Sequence, residues 1–170
     1  MVSNYYDSIR YLKSEDGGST WKKMDGTTVS LPVSCDQDAT DSTQINLEDE
    51  EGVSENTWLA NMFVKNGKVH FMYKARLLSA SGRPDRMHYM RFDRESGVRE
   101  IDSWSDYPDG KWKGGELEIF LTSGYFSSNP DDPDAPLFAT AEIVGSDPAK
   151  RRIAALVSYD NGLTWRDHAL

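Results

Sequence analysis

Four cations gather in one short stretch of an otherwise acidic chain: Lys74, Arg76, Arg83 and Arg86. A guanidinium presents a planar fork of donors that matches a carboxylate or a sulfate. Arg76, Arg83 and Arg86 are therefore candidates for gripping a ligand that carries a carboxylate or a sulfate. The alternatives for each are an ion pair with the acidic segment Pro32–Glu55 or plain solvent exposure. Two groups able to move protons, Tyr73 and His88, flank the same stretch. Taking a proton from a carbon beside a carboxylate requires a base, plus a cation to neutralise that carboxylate. His88 or Tyr73 with Arg76 or Arg86 would meet that need. A lone histidine in a strand is also commonly a packed or surface residue, and His70 is a weaker candidate still. Trp58, Trp104 and Trp112 are able to stack on sugar faces or to fill a core. Asp131-Asp132-Pro133-Asp134 groups carboxylates of the kind calcium takes, but at a spacing that matches no calcium loop. No metal site and no cofactor is expected.

The composition narrows the partners. The charge count of 19 basic against 28 acidic residues leaves −9, which argues against a general nucleic-acid binder. No apolar run approaches the roughly 18 residues of a membrane span. Met1–Asp7 has neither the basic nor the apolar region of a signal peptide. The single cysteine, Cys35, excludes an internal disulfide and a cysteine-clustered metal site. With 170 residues the chain is long enough for one domain with a real core.

The elements that must position these groups read as strands. No segment keeps a helical apolar period over three turns, and Gly, Pro, Asn and Asp interrupt often. Strands are expected at 7–14, 58–64, 69–76, 87–93, 98–104, 116–121, 137–144, 153–159 and 164–168. Asn66-Gly67 between two apolar runs is a strong hairpin signal, because both turn positions need positive φ. The result is an all-β meander, hence a sandwich, barrel or propeller. Pro32–Glu55 and Tyr125–Pro136 read as long irregular loops, either solvated or functional.

The chain also repeats itself. Ser14, Asp16, Gly18, Thr20 and Trp21 recur at the same spacing as Ser158, Asp160, Gly162, Thr164 and Trp165. The pattern S-x-D-x-G-x-T-W suits a tight hairpin. The carboxylate accepts backbone N–H groups across the turn, glycine supplies the unusual conformation, and the indole packs back over the end. These ten residues are expected to be structural.

This motif resembles the Asp-box, or BNR repeat, of the sialidase superfamily. The surrounding sequence, YLKSEDGGSTWKKMDGTTVSLPV, is similar to a branch related to polysaccharide lyases of the ulvan type. The resemblance implies a β-propeller of four-stranded antiparallel blades, with each box between the third and fourth strands. Threaded this way, residues 1–170 make one partial propeller of about two and a half blades: half a blade at 5–27, a blade at 56–104 and a blade at 116–168. Asp93–Gly97 is then a degenerate box that lacks its tryptophan. Closed propellers have roughly four to eight blades, so the expected partners include the remaining blades of a longer chain, or self-association. The family's active sites lie on the face opposite the boxes. There fall the acidic loop 32–57, the basic loop 76–87 and the segment 106–115. The resemblance implies a parent acting on or binding acidic polysaccharide, by β-elimination or glycoside hydrolysis, and secreted or periplasmic. The alternatives are a non-catalytic glycan-binding scaffold and an exo-sialidase, with Glu116 and Tyr73 as a nucleophile pair. The sialidase Arg-Ile-Pro motif is absent. Neither His70, His88 nor His168 matches a lyase histidine by any local motif.

Overall fold

The computed structural model describes residues 9–33, 43–45, 55–77, 86–101, 118–119, 126–129, 131–144 and 151–167. Among them every regular element is a strand. β1 (Trp21–Lys22) and β2 (Thr28–Val29) form a short antiparallel hairpin. Lys13 pairs with Lys22 on one side, and Arg10 pairs with Gln44 on the other. Four backbone segments thus lie side by side. The expectation of a solvated loop over 32–55 changes at Thr43–Ile45. The Ile45 amide donates to the Ile9 carbonyl at 2.9 Å, and the Ile45 side chain is 5% exposed. Three ordered residues there finish the core of the first layer.

The second sheet is an antiparallel meander in chain order. It consists of β3 (Glu55–Lys65), β4 (Lys68–Leu77), β5 (Arg86–Asp93) and β6 (Arg99–Ile101). Asn66 (φ 47°) and Gly67 (φ 70°) turn β3 into β4, as an Asn-Gly hairpin requires. The third sheet contains β7 (Glu118–Ile119), β9 (Leu137–Val144), β10 (Arg151–Ser158) and β11 (Arg166–Asp167), ordered β11-β10-β9-β7. β8 (Phe126–Ser127) also pairs with β9, inside a stretch whose sequence reads as loop. Each of these sheets is open and antiparallel.

The second sheet is the middle layer. Val69, Phe71, Tyr73, Met90 and Phe92 pack on Ile9, Met24 and Ile45 of the first layer. On its other face Met72 and Tyr89 pack on Leu137, Ala139, Leu156 and Trp165 of the third sheet. A strand buried on both faces cannot alternate apolar with polar. That is why β4 reads as the near-continuous run Val69-His70-Phe71-Met72-Tyr73, each member at most 4% exposed. Burying each of these large apolar side chains contributes about 1.5–3 kcal/mol.

Candidate functional site

Three turns carry the same carboxylate-centred chemistry. In the first, connecting Lys13 to β1, the Ser14 hydroxyl donates to Asp16 Oδ1 at 2.9 Å and accepts the Gly18 amide at 2.7 Å. The Thr20 amide donates to the same Oδ1 at 2.9 Å, and the Thr20 hydroxyl donates to Oδ2 at 2.7 Å. In the turn between β10 and β11 the corresponding hydroxyl and amide bonds of Ser158, Gly162 and Thr164 are each 2.8 Å. The Thr164 hydroxyl again meets Asp160 Oδ2. The backbones match too, with Gly17 (φ 69°) and Gly18 (φ 92°) against Asn161 (φ 55°) and Gly162 (φ 87°). Asparagine is one of the few residues that enters this left-handed region readily. In the third turn, between β5 and β6, Asp93 Oδ1 accepts the Ser96 amide and hydroxyl, both at 2.8 Å.

These hydrogen bonds set the acidities. Those from Thr20 and Ser14 hold the Asp16 carboxyl down at about 2. Burial works to raise Asp160, but the Thr164 and Ser158 hydrogen bonds outweigh it and the group ends low. Asp93 is held well below the usual range by Ser96 and by the Lys68 ammonium. A carboxylate fixed in this way neither gives nor takes protons near neutrality, so the three aspartates build turns. Each tryptophan follows its turn. Trp165 is 2% exposed in the core. Trp21 is half-buried, with its indole N–H on the Gly18 carbonyl at 3.1 Å.

A buried polar network joins the middle and third sheets beside the second turn. His70 is fully buried, stacks on Phe63 with ring centroids 4.7 Å apart, and places Nδ1 2.9 Å from the Tyr89 hydroxyl. Desolvation, reinforced by the Arg91 guanidinium, pushes its pKa down to about 4, so the ring is neutral at ordinary pH. Burial pushes the Tyr89 hydroxyl far up. Arg91 is 4% exposed and donates to the Asn161 carbonyl at 2.7 Å across the sheets, and it pairs with Glu100 at 2.7 Å. Glu100 also pairs with Lys68. Lys65, likewise buried, donates to Ser128 Oγ at 2.7 Å and to the Ala135 carbonyl. The sequence reading missed Arg91, Glu100 and Lys65. The available signal was the presence of charged residues inside otherwise apolar strand runs.

Between the first and third of these turns lies a polar cleft of about 470 Å³, lined by Lys13, Glu15, Lys22, Asp93, Arg94 and Glu95. Two of its charges pair with each other, and others bind neighbours. Lys22 pairs with Glu15 at 2.9 Å, and Lys13 Nζ donates to the Arg94 carbonyl at 2.9 Å. Both partners of that ion pair are driven away from neutrality, Glu15 downward and Lys22 upward.

The expected catalytic and carboxylate-binding residues belong to the opposite end of β4 and β5. In the ladder Tyr73 stands opposite His88, and Ala75 opposite Arg86. Arg76 follows one position on, opposite Asn56 of β3. The backbone therefore brings Tyr73, Arg76, Arg86 and His88 to one sheet end, some eight residues along β4 from the Asn66-Gly67 turn. Tyr73 itself is 4% exposed and sits among Ile9, Phe71 and Met90. Arg83 lies outside the described residues, as do Cys35, Trp104, Trp112, Glu116 and His168. The acidic run 131–134 forms capped turns, in which Asp132 Oδ1 accepts the Asp134 amide at 2.9 Å. Among the described residues no three His, Cys, Asp or Glu side chains converge. Comparisons with protein-family models, with curated proteins and with solved structures found no match to this chain.

Proposed function

We propose that this chain is part of an Asp-box propeller whose parent binds or acts on an acidic polysaccharide. The observation that carries the reading is the pair of eight-residue turns with one hydrogen-bond pattern and one backbone geometry, set on separate sheets. A four-stranded antiparallel meander stacked on an antiparallel sheet whose main path also runs through four strands supports their reading as blades. The ladder that gathers Tyr73, Arg76, Arg86 and His88 at the end away from the boxes supports a ligand face there. On this reading Arg76, Arg83 and Arg86 grip sugar carboxylates, while His88 takes the C5 proton of a uronate; Tyr73, closed in among Ile9, Phe71 and Met90, is not placed to act as the base. A chain of net charge −9 that binds a polyanion must do so through such a local basic patch.

Affinity electrophoresis in gels containing polygalacturonate, a sulfated polyuronate or neutral dextran tests this. Retardation by the acidic polymers alone, abolished by combined Arg76→Ala, Arg83→Ala and Arg86→Ala, is the expected result. Equal mobility in all gels overturns the reading. Where binding occurs, unsaturated products absorbing in the ultraviolet mark a lyase, and reducing ends without that absorbance mark a hydrolase. Binding with neither product marks the non-catalytic scaffold.

A further inference from the structure

The chain holds two Asn-Gly pairs, Asn66-Gly67 and Asn161-Gly162, and in both the backbone is left-handed at each residue. Asn-Gly is chemically labile because glycine's unhindered amide nitrogen is able to attack the preceding side-chain amide. With sequence and backbone geometry nearly matched, the surroundings decide which pair reacts. Gly162 is buried against the Tyr89 hydroxyl, and its N–H is held by Ser158 Oγ at 2.8 Å. Asn161 is tied at its own carbonyl by Arg91 at 2.7 Å. That amide nitrogen has neither the freedom nor the space to swing onto Asn161. Asn66 and Gly67 are both exposed, and no atom lies within 4 Å of the position a Cβ would take on Gly67. The contact that restrains the Asn66 side chain is a single hydrogen bond from Nδ2 to the Pro133 carbonyl at 2.7 Å.

We propose that Asn66 is a site of spontaneous deamidation and that its conversion unclasps the 128–135 loop. The Gly67 nitrogen loses its proton to solvent base and bonds to Asn66 Cγ. The Cγ–Nδ2 bond breaks, and ammonia leaves with a proton returned from water. Water then opens the cyclic imide at either carbonyl, giving aspartate or isoaspartate without any redox change. The product has lost the donor that faced the Pro133 carbonyl and carries a new negative charge near Asp134. That carboxylate repels the loop it once held. Isoaspartate also lengthens the backbone of a two-residue turn whose geometry fixes the β3–β4 register. Lys65, which holds the same loop through Ser128 and Ala135, keeps the remaining contact.

The full chain is incubated in mildly alkaline buffer, and the two peptides are separated and scored for isoaspartate by enzymatic methyl transfer. Asn66 is expected to convert at least about tenfold faster than Asn161, the ratio a single retained hydrogen bond on the attacking nitrogen would produce. Asn66→Asp, made directly, is expected to speed limited proteolysis within 128–135 while leaving the unfolding midpoint nearly unchanged. Ser158→Ala frees the Gly162 amide and is expected to raise conversion at Asn161. Faster conversion at Asn161, or no conversion at Asn66 while an unfolded peptide of the same sequence converts, overturns the proposal. Unchanged proteolysis in Asn66→Asp overturns the unclasping.

Discussion

Acidifying the solution places a charge in a site built for a neutral ring. His70 is fully buried against Phe63, Tyr89 and the third sheet, and its pKa falls from 6.5 to about 4. Desolvation is the leading cause, Arg91 adds repulsion, and the Lys65 backbone, Asn161 and Glu100 offset part of it. Because the folded pKa is the lower one, the unfolded chain takes up the proton first. Stability from this group is complete above the unfolded value and is lost as pH falls through the interval, levelling off below the folded value. The shift of about 2.5 units corresponds to about 3 kcal/mol, of which about 2 kcal/mol is gone by about pH 5. Asp16, Asp93 and Asp160 are lowered from an ordinary 3.8, and Glu15 and Glu100 from 4.5, so their contributions are lost mainly at the acid end of the interval and below it. Urea unfolding across the interval, in the wild type and in His70→Gln, isolates the effect. The wild type is expected to lose stability with falling pH over the window in which the variant stays nearly flat. Identical slopes, or a ring titration by NMR with its midpoint near 6.5, would refute the burial argument.

Three further outcomes follow from the packing. Gly162→Ala drives a methyl into the Tyr89 hydroxyl at φ 87° and is expected to destabilise by more than about 3 kcal/mol. Gly17→Ala, at φ 69° in open space, adds only backbone strain of about 1–2 kcal/mol; equal losses in thermal unfolding would deny the interlayer contact. Asp160→Ala strands the Thr164 and Ser158 donors in a half-buried turn and is expected to cost about 2 kcal/mol by urea titration, more than Asp16→Ala, where water replaces the lost partner. Met72→Ala leaves a hole between the middle and third sheets and is expected to lower stability by about 2–5 kcal/mol; a loss under 1 kcal/mol would mean that the two sheets do not bury it together.

Local chemistry was legible in the sequence, and cross-layer chemistry was not. β9 matches its expected bounds, Leu137–Val144, because apolar residues rich in Ala, Ile and Val stand between Pro-Asp and Gly-Asp punctuation. β4 and β5 extend only a residue or so beyond expectation. The hydrogen bonds around Asp16 and Asp160 were foreseeable because every partner lies within four residues. β8 and Thr43–Ile45 were not foreseeable, since each is a two- or three-residue pairing made favourable by a distant strand. The backbone groups of Ile45 and Tyr11 are satisfied only when residues 9–11 and 43–45 meet. His70 was underrated for a related reason. Within a run buried on both faces, a histidine leaves no break in periodicity, and its partners Tyr89 and Asn161 lie on other strands and turns.

The two boxes separate what the motif does from what its variable positions do. Their Ser hydroxyl, Gly amide and Thr amide hydrogen bonds agree to within about 0.1 Å, yet one box lies open and the other is jammed against a sheet. A Cβ on Gly18 would meet only the indole of Trp21 from the same turn at 3.9 Å, whereas one on Gly162 would run into the Tyr89 hydroxyl. A turn that forms alike in both settings is stabilised from within, while in the second one the fixed residues Gly162 and Trp165 also pack on the middle sheet. Further docking contacts come from a position the motif leaves free. Asn161, where the first box has Gly17, offers its carbonyl to Arg91 at 2.7 Å and its amide to the Lys65 carbonyl at 3.4 Å. Arg91 and Lys65 are themselves buried charges, tolerated only with partners in place: Arg91 also pairs with Glu100 of its own sheet, and the Lys65 ammonium donates to Ser128 and Ala135. Sliding the third sheet by one residue would pull the Asn161 carbonyl off Arg91 and take Ser128 and Ala135 away from the Lys65 ammonium. These polar contacts, together with the apolar core, therefore fix the register in which the third sheet meets the middle one.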